Sequence, residues 1–398
     1  MRILFLSPVL PHAEVISGPI IVHNRIKLLA ERGYEIGLAS FVGAGDEAHA
    51  ADLKPMLFEM ELLPLPARRR MPSVTDYLGL GAPAPFRAVW SPAMQRRVGD
   101  MVTRSRYDVV IAEFSAMGQF LNGNPYLPAT RRIISCHSCL TTACQKAIDL
   151  QRWSAGLLKK YLALKNIEKH EFATYRSADL VLALNHQERM DLLHYEPNLN
   201  IAVVPYGVDV DHFRPNPAEA AEEALVFTGY YADDANRDAA MWFARAVWPR
   251  LKARHPNLRF YIVGRAPSAD MKDLARRDRQ VIVTGEVPDV APYLTRSRIY
   301  VCPMRMGTGF RGKVLQAMAA GVPVVATTLA AEGIPAQVGE NIMLADTPHV
   351  MEESIHLLLS DAGLRRTLAT NARDLAVRRF SWAHCVDLLE GAIREIVS

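Results

Sequence analysis

The sequence predicts an α/β protein made of two doubly wound parallel sheets in tandem. Three observations carry this. Short β-branched apolar runs alternate with longer helical patterns along all 398 residues. The runs are apolar throughout, as strands buried on both faces are in a parallel sheet covered by helices. The alternation breaks once, around "GVDVDHFRPNPAEAAEEA", and then restarts. A chain of this length also exceeds one ordinary domain.

In the first half the strands read as "RILFLSPV", "YEIGLASFV", "YDVVIAEF", "RRIISCHS", "ADLVLALN" and "NIAVVPYG". Helical stretches lie between them, such as "IIVHNRIKLLAERG", which ends on Gly33. The break spans 207–223 and reads as a linker. The second half offers "ALVFTGYY", "LRFYIVG", "QVIVTGEV", "RIYVCPM", "VPVVATT" and "NIMLA", then two closing helices. In such folds ligands bind beyond the carboxyl ends of strands, so a shared ligand is expected in a cleft between the halves.

Half of the residues are apolar and 22% are charged, with a net charge of +4. That fits a soluble protein with sizeable cores and speaks against a nucleic-acid partner, which needs a dense basic face. Five cysteines, an odd number, form no disulfide framework and point to a reducing, cytoplasmic setting. The apolar N-terminus stops at Pro8 and Pro11 without a cleavage pattern and reads as a buried strand rather than a signal peptide. No run approaches the length of a membrane span.

Chemistry is expected in Cys302–Gly333. A strand ends at Pro303, a turn carries Gly307, Gly309 and Gly312, and a helix runs to Gly321. Glycines opening onto a helix N-terminus expose backbone N–H groups to an anion, and Arg305, Arg311 and Lys313 add positive charge. A diphosphate suits this turn, with Arg bonding in bidentate fashion and Lys acting as a point charge. A surface turn with ordinary basic residues is the other reading.

The segment "TGFRGKVLQAMAAGVPVVAT" resembles the signature of the retaining nucleotide-sugar glycosyltransferases of the GT-B fold, family four. It is most similar to a glycine-rich basic branch that builds surface polysaccharides, through Arg305, Gly307, Gly309, Arg311 and Lys313. "VVPYGVDVDHFRP", "FTGYYADDANRDAAMWFARAVWPRL", "FYIVG", "VTGEVPDVAPYLTRSRIYVCPM" and "FSWAHCVDLL" extend the resemblance over nearly the whole chain. It implies two Rossmann-like domains facing a central cleft. Residues 1–206 would form the acceptor side and 224–380 the donor side, with 381–398 a helix crossing back.

The resemblance also implies a reaction: transfer of a sugar from a nucleoside-diphosphate sugar to a sugar, lipid-linked or small-molecule acceptor. It implies retained configuration, no metal and no further cofactor. Arg311 and Lys313 would stabilise the leaving diphosphate, and His137, at the end of "RRIISCHS", would contact the donor sugar. Gly18, Pro19, Gly229, Arg305, Thr308, Gly309, Phe310, Val314, Gln316 and Glu332 would hold the donor. Two positions depart from the family. Thr308 and Gln316 stand where its two glutamates stand, and Gln316 loses charge-assisted bonds to ribose unless Glu332 compensates. An epimerase or hydrolase on the same fold, and a binding subunit without catalysis, are the rival functions.

Other motifs read more plainly. Asp209-Val210-Asp211 has the form of a metal-binding DxD but falls in the linker register, and Asp233 and Asp234 read as a solvated loop. Lys159, Lys160, Lys165 and Lys169 lie on a basic helix, and Arg68, Arg69 and Arg70 form a basic run. These fit either a solvated face or peripheral contact with anionic lipid at the inner face of a membrane. "SCHSCLTTACQ" gathers Cys136, Cys139 and Cys144. It lacks the four ligands of a zinc site, and Cys136 reads as a buried strand residue, Cys139 and Cys144 as loop residues.

Overall fold

The computed structural model describes residues 1–13, 18–43, 45–66, 81–149, 156–216, 222–307 and 309–397. The chain divides into two compact units, Met1–Pro205 with Cys385–Ser398, and Tyr206–His384.

The first unit holds β1 (Arg2–Ser7), β2 (Glu35–Val42), β3 (Glu59–Pro64), β4 (Val109–Glu113), β5 (Arg131–Ser135), β6 (Leu180–Ala183) and β7 (Ile201–Val203). They pair in parallel in the order β3-β2-β1-β4-β5-β6-β7. The order reverses between β1 and β4, which makes the carboxyl ends of these strands the place for a ligand. Both faces are covered. Leu4, Leu6, Val110, Ala112 and Ile134 pack into one core, while Ile3, Phe5, Val109, Ile111 and Ile133 pack into the other. The C-terminal helix Trp382–Val397 places Val386, Leu389 and Ile393 in the second core.

The second unit holds β8 (Glu222–Thr228), β9 (Arg259–Val263), β10 (Val281–Gly285), β11 (Ser297–Cys302), β12 (Val324–Ala326) and β13 (Met343–Leu344). Its order, β10-β9-β8-β11-β12-β13, repeats the first pattern, with the reversal between β8 and β11. All its pairs are parallel.

The structure differs from the sequence reading in several places. Strand β3 was not expected: "EMELLP" carries two glutamates, and Glu59 and Glu61 pair with Arg104 and Arg97 at the sheet edge. Strand β8 begins at Glu222, inside the expected linker, because Glu222 N–H bonds the Arg296 carbonyl. Cys144 lies on the helix Leu140–Asp149, not in a loop. Asp233 lies in the exposed bend before the helix Asp234–Ala246 and caps it through Ala235 N–H, while Asp234, exposed as well, begins that helix rather than lying in a loop. Asp209 accepts from the N–H groups of Asp211 and His212, which uses one carboxylate of the DxD-like pair in a local turn.

Candidate functional site

In the second unit the glycine-rich turn follows β11 directly, beside the end of β8. Gly307 and Gly309 have φ of +95° and +89°, conformations that L side chains rarely adopt. A Cβ on Gly307 would also meet Arg311 Nη2 at 2.8 Å. The turn leads into the helix Gly312–Ala319, which no side chain caps among the described residues. Gly321, at φ +70°, ends it with an N–H bond to Met318.

Lys313 reaches across this point. Its Nζ donates to Asn236 Oδ1 at 2.5 Å and lies 4.8 Å from the Phe227 ring centroid. Asn236 in turn donates to the Tyr230 carbonyl at 3.0 Å and packs against Gly229. Burial, with Arg311 nearby, lowers the Lys313 pKa to about 8. Gly229, Asn236, Arg311 and Lys313 thus gather at the strand-order reversal, Asn236 from a capped helix and Lys313 from an uncapped one. Sequence reasoning missed Asn236. Its signal was its place in the helix opening after "FTGYY".

The remaining expected residues fall differently. Arg305 is held by Asp238 at 2.6 Å and 3.1 Å and lies over the Trp242 ring. Its charge is therefore matched by the neighbouring helix. Val314 is fully buried in the core, and its N–H bonds the Arg311 carbonyl. Phe310 stacks on Tyr206 at 5.5 Å and on Phe380 at 6.2 Å, which anchors the turn through its ring. Gln316 is 9% exposed, and its Oε1 is buried without a hydrogen-bond partner among the described residues. Glu332 is half-buried in the segment after β12, which Thr327 ties to the Met304 carbonyl. Thr308 lies outside the described residues.

In the first unit the corresponding reversal holds a buried polar cluster. Glu113 ends β4 and is fully buried. Arg25, from the helix Gly18–Glu31, bonds both its oxygens at 2.9 Å and Ser135 Oγ at 2.9 Å. His137 Nε2 lies 2.5 Å from Glu113 Oε2. Burial opposes ionisation of Glu113, yet Arg25 and His137 hold its pKa down at about 2. Burial also lowers the His137 pKa, against the pull of Glu113 and with the help of Arg25. Phe114 stacks on His137 at 4.0 Å, and both have positive φ, +70° and +54°.

Gly18 begins its helix beneath Phe114, where a Cβ would lie 2.1 Å from the ring. The close approach of that ring accounts for the glycine. Pro19 follows in the first turn, where its missing N–H costs nothing.

The cysteines next to His137 are structural. Cys139 immediately precedes the helix Leu140–Asp149, the position a redox thiol takes, but burial pushes its pKa up to about 12. Cys136 is buried too, contacts the Tyr175 hydroxyl at 3.0 Å and is held well above the usual thiol range by burial. Glu171 fastens the start of the helix by accepting from Leu140 N–H at 2.9 Å and Thr141 N–H at 2.8 Å.

Residues 20–212 match the family described as Glycosyltransferase Family 4, and residues 222–361 match Glycosyl transferases group 1. The first region spans β2 to β7 and the second spans β8 to β13.

The chain is a glycosyltransferase of the GT-B fold.

The transferase is 26% identical to a phosphatidyl-myo-inositol mannosyltransferase of Mycolicibacterium smegmatis over 86% of this chain and 88% of that relative. Its fold resembles sucrose-phosphate synthase of Thermosynechococcus elongatus, with a TM-score of 0.70 and 16% identity over 100% and 99% of the two chains. Anabaena HepE in complex with UDP gives a TM-score of 0.70 at 14% identity over 99% and 100%. No described helix of the transferase is long and apolar enough to cross a membrane. Among the described residues the one acidic and histidine group close enough to share an ion is His349, Glu352 and Glu353. Both of its carboxylates are paired with arginines.

Proposed function

We propose that this glycosyltransferase moves a sugar from a nucleoside-diphosphate sugar to an acceptor hydroxyl, with retained anomeric configuration and without a metal ion. The observation that carries the reading is the turn after β11. Two glycines at positive φ, an uncapped helix N-terminus, Arg311 and Lys313 meet at the strand-order reversal. Such a site suits a diphosphate that gains charge as the glycosidic bond breaks. The UDP bound by HepE, a protein of the same fold, supports it.

Within the second unit, Arg311 and Lys313 would stabilise the leaving diphosphate. The unpartnered Gln316 carbonyl would accept a hydrogen bond from ribose, with Glu332 as a second ribose contact. Gly229, Gly309 and Phe310 shape the walls, and Thr308 belongs to the same proposed set. In the first unit His137 would contact the donor sugar. Attack on the same face as the departing diphosphate, within an ion pair, accounts for retention without a paired-carboxylate double displacement.

The acceptor is proposed to belong to a glycoconjugate or surface polysaccharide, lipid-linked acceptors included. The phosphatidyl-myo-inositol specificity named for the mycobacterial relative supports this. The helix Gly156–Arg176 exposes Lys159, Lys160 and Lys165 beside Tyr161 and Leu162, 46% and 60% exposed, a pattern that suits anionic lipid. Arg68, Arg69 and Arg70 lie outside the described residues. Binding to phosphatidylglycerol vesicles at low salt, absent for neutral vesicles, is the expected result; equal binding to both rejects the lipid contact.

The function itself is tested with a panel of nucleotide sugars and product analysis. Sugar transfer to an added acceptor is expected. Nucleotide binding with no turnover on any donor would instead mark a binding subunit, and isomerised donor without acceptor would mark an epimerase.

A further inference from the structure

The buried cluster of the first unit contains more than one sugar contact needs. Arg25 is 2% exposed, Glu113 fully buried and His137 8% exposed. Removing one member of such a pair strands a charge out of water, so the cluster is costly to keep without a purpose. Two of its atoms, Arg25 Nη2 and His137 Nδ1, are buried and have no hydrogen-bond partner among the described residues. Buried polar atoms are otherwise almost always satisfied. The backbone beside them is strained as well, with both Phe114 and His137 at positive φ.

We infer that Arg25 and Glu113 are positioning residues. Glu113, clamped by Arg25, takes the hydrogen bond of His137 Nε2–H and so presents Nδ1 as a bare acceptor to a hydroxyl of the ligand. The inference rests on the reading of His137 as a sugar contact and adds the polarity of that contact.

A neutral imidazole has one donor and one acceptor, and the hydrogen bond made by one nitrogen fixes the role of the other. A carboxylate accepts only, so the nitrogen 2.5 Å from Glu113 carries the proton. A Glu–His pair by itself would favour an imidazolium and could serve as a base. Arg25 removes that option. It occupies both Glu113 oxygens and sets a fixed positive charge beside the ring. The charged or titratable groups facing the ring are Glu113 from β4 and Arg25 from the helix Gly18–Glu31. Cys385 of the C-terminal helix faces Arg25 and stays a thiol, its pKa pushed up to about 12 by burial. The ring is thereby a hydrogen-bond partner, selective for a hydroxyl that donates, and not a proton acceptor. The unused Arg25 Nη2 would serve an oxygen of the same ligand.

Histidine-labelled full-length protein tests this by nitrogen NMR without any ligand, with His137→Ala assigning the signal. The wild type is expected to show Nε2 protonated and Nδ1 unprotonated at pH 7. Glu113→Gln should mix the two tautomers. Arg25→Met should raise the protonation midpoint of His137 by about one pH unit or more, since Glu113 is then matched by His137 alone. A protonated Nδ1 in the wild type overturns the inference, and so does a tautomer unchanged in Glu113→Gln. If Arg25→Met fails to fold, the wild-type spectrum and Glu113→Gln still decide. UDP binding is measured in parallel. GDP and ADP binding are measured beside it, and the absence of all three from the wild type would reject the nucleotide-sugar reading while leaving the tautomer result standing.

Discussion

Lys313 Nζ donates to Asn236 Oδ1 at 2.5 Å, joining the helix after the glycine-rich turn to the helix after β8. The bond holds a long, flexible cation in place before any anion arrives, so little reorganisation remains for the reaction. Lys313→Ala and Arg311→Ala should each lower turnover by about a hundredfold or more while the far-UV CD stays native. Near-normal turnover in both variants contradicts the role given to this turn. Asn236→Ala should cost less, since it frees the lysine without removing its charge.

Lys313 also predicts a pH dependence. Its pKa in the folded protein is lowered to about 8, so the unfolded chain binds more protons between there and the ordinary lysine range. The folded state is therefore disfavoured below pH 8 by this group, and that penalty fades as pH rises toward the ordinary value. Diphosphate binding runs the other way, because it favours the charged lysine. Isothermal titration with UDP should give a flat affinity below pH 8 and a loss approaching about tenfold per pH unit above it. An affinity flat up to pH 9.5 removes Lys313 from the anion site.

Gln316 separates stability from binding. Its buried Oε1 has no partner among the described residues, and an unmet buried acceptor costs about 1–3 kcal/mol. Gln316→Leu should therefore melt at or above the wild-type temperature while UDP affinity falls severalfold. Gln316→Glu should restore charge-assisted bonds to ribose and tighten UDP. A leucine variant that melts lower yet binds UDP normally would show that the carbonyl serves the core.

Gly18 tests the packing at the first reversal. Because a Cβ there would lie 2.1 Å from Phe114 Cζ, Gly18→Ala must displace the ring that stacks on His137. Overpacking of this kind costs about 1–3 kcal/mol, measurable by urea denaturation. Unchanged stability would mean that Phe114 moves freely and does not brace the histidine.

Much of the fold was legible because parallel strands buried on both faces write themselves as apolar runs. β1, β4 and β5, and β8, β9, β11 and β12, are of this kind, whereas β10, at a sheet edge, is apolar in sequence but mostly half-buried. β3 is not, since its glutamates face arginines at an edge and interrupt the run. The turn around Gly307 to Lys313 was legible because glycine and basic residues lie close together in sequence. The Arg25–Glu113–His137 cluster was not. Its members lie 88 and 24 positions apart, and only the order of β1, β4 and β5 brings them together. Likewise the pairing of Arg305 with Asp238, 67 positions away, cannot be read from the turn itself. The cysteines show the converse: Cys136 and Cys139 lie close together in sequence, yet each is buried with its thiol pushed well above the usual range.

The most direct test of the central claim is a donor assay with stereochemical readout. The purified protein is incubated with UDP-glucose, GDP-mannose and related nucleotide sugars plus a glycoside or lipid acceptor. Proton NMR then follows nucleoside-diphosphate release and the anomeric configuration of the product. Release with at least one donor, a product of the donor's own configuration, and loss of both in Lys313→Ala are expected. An inverted product contradicts the retaining mechanism, and turnover that survives in both Lys313→Ala and Arg311→Ala contradicts the site.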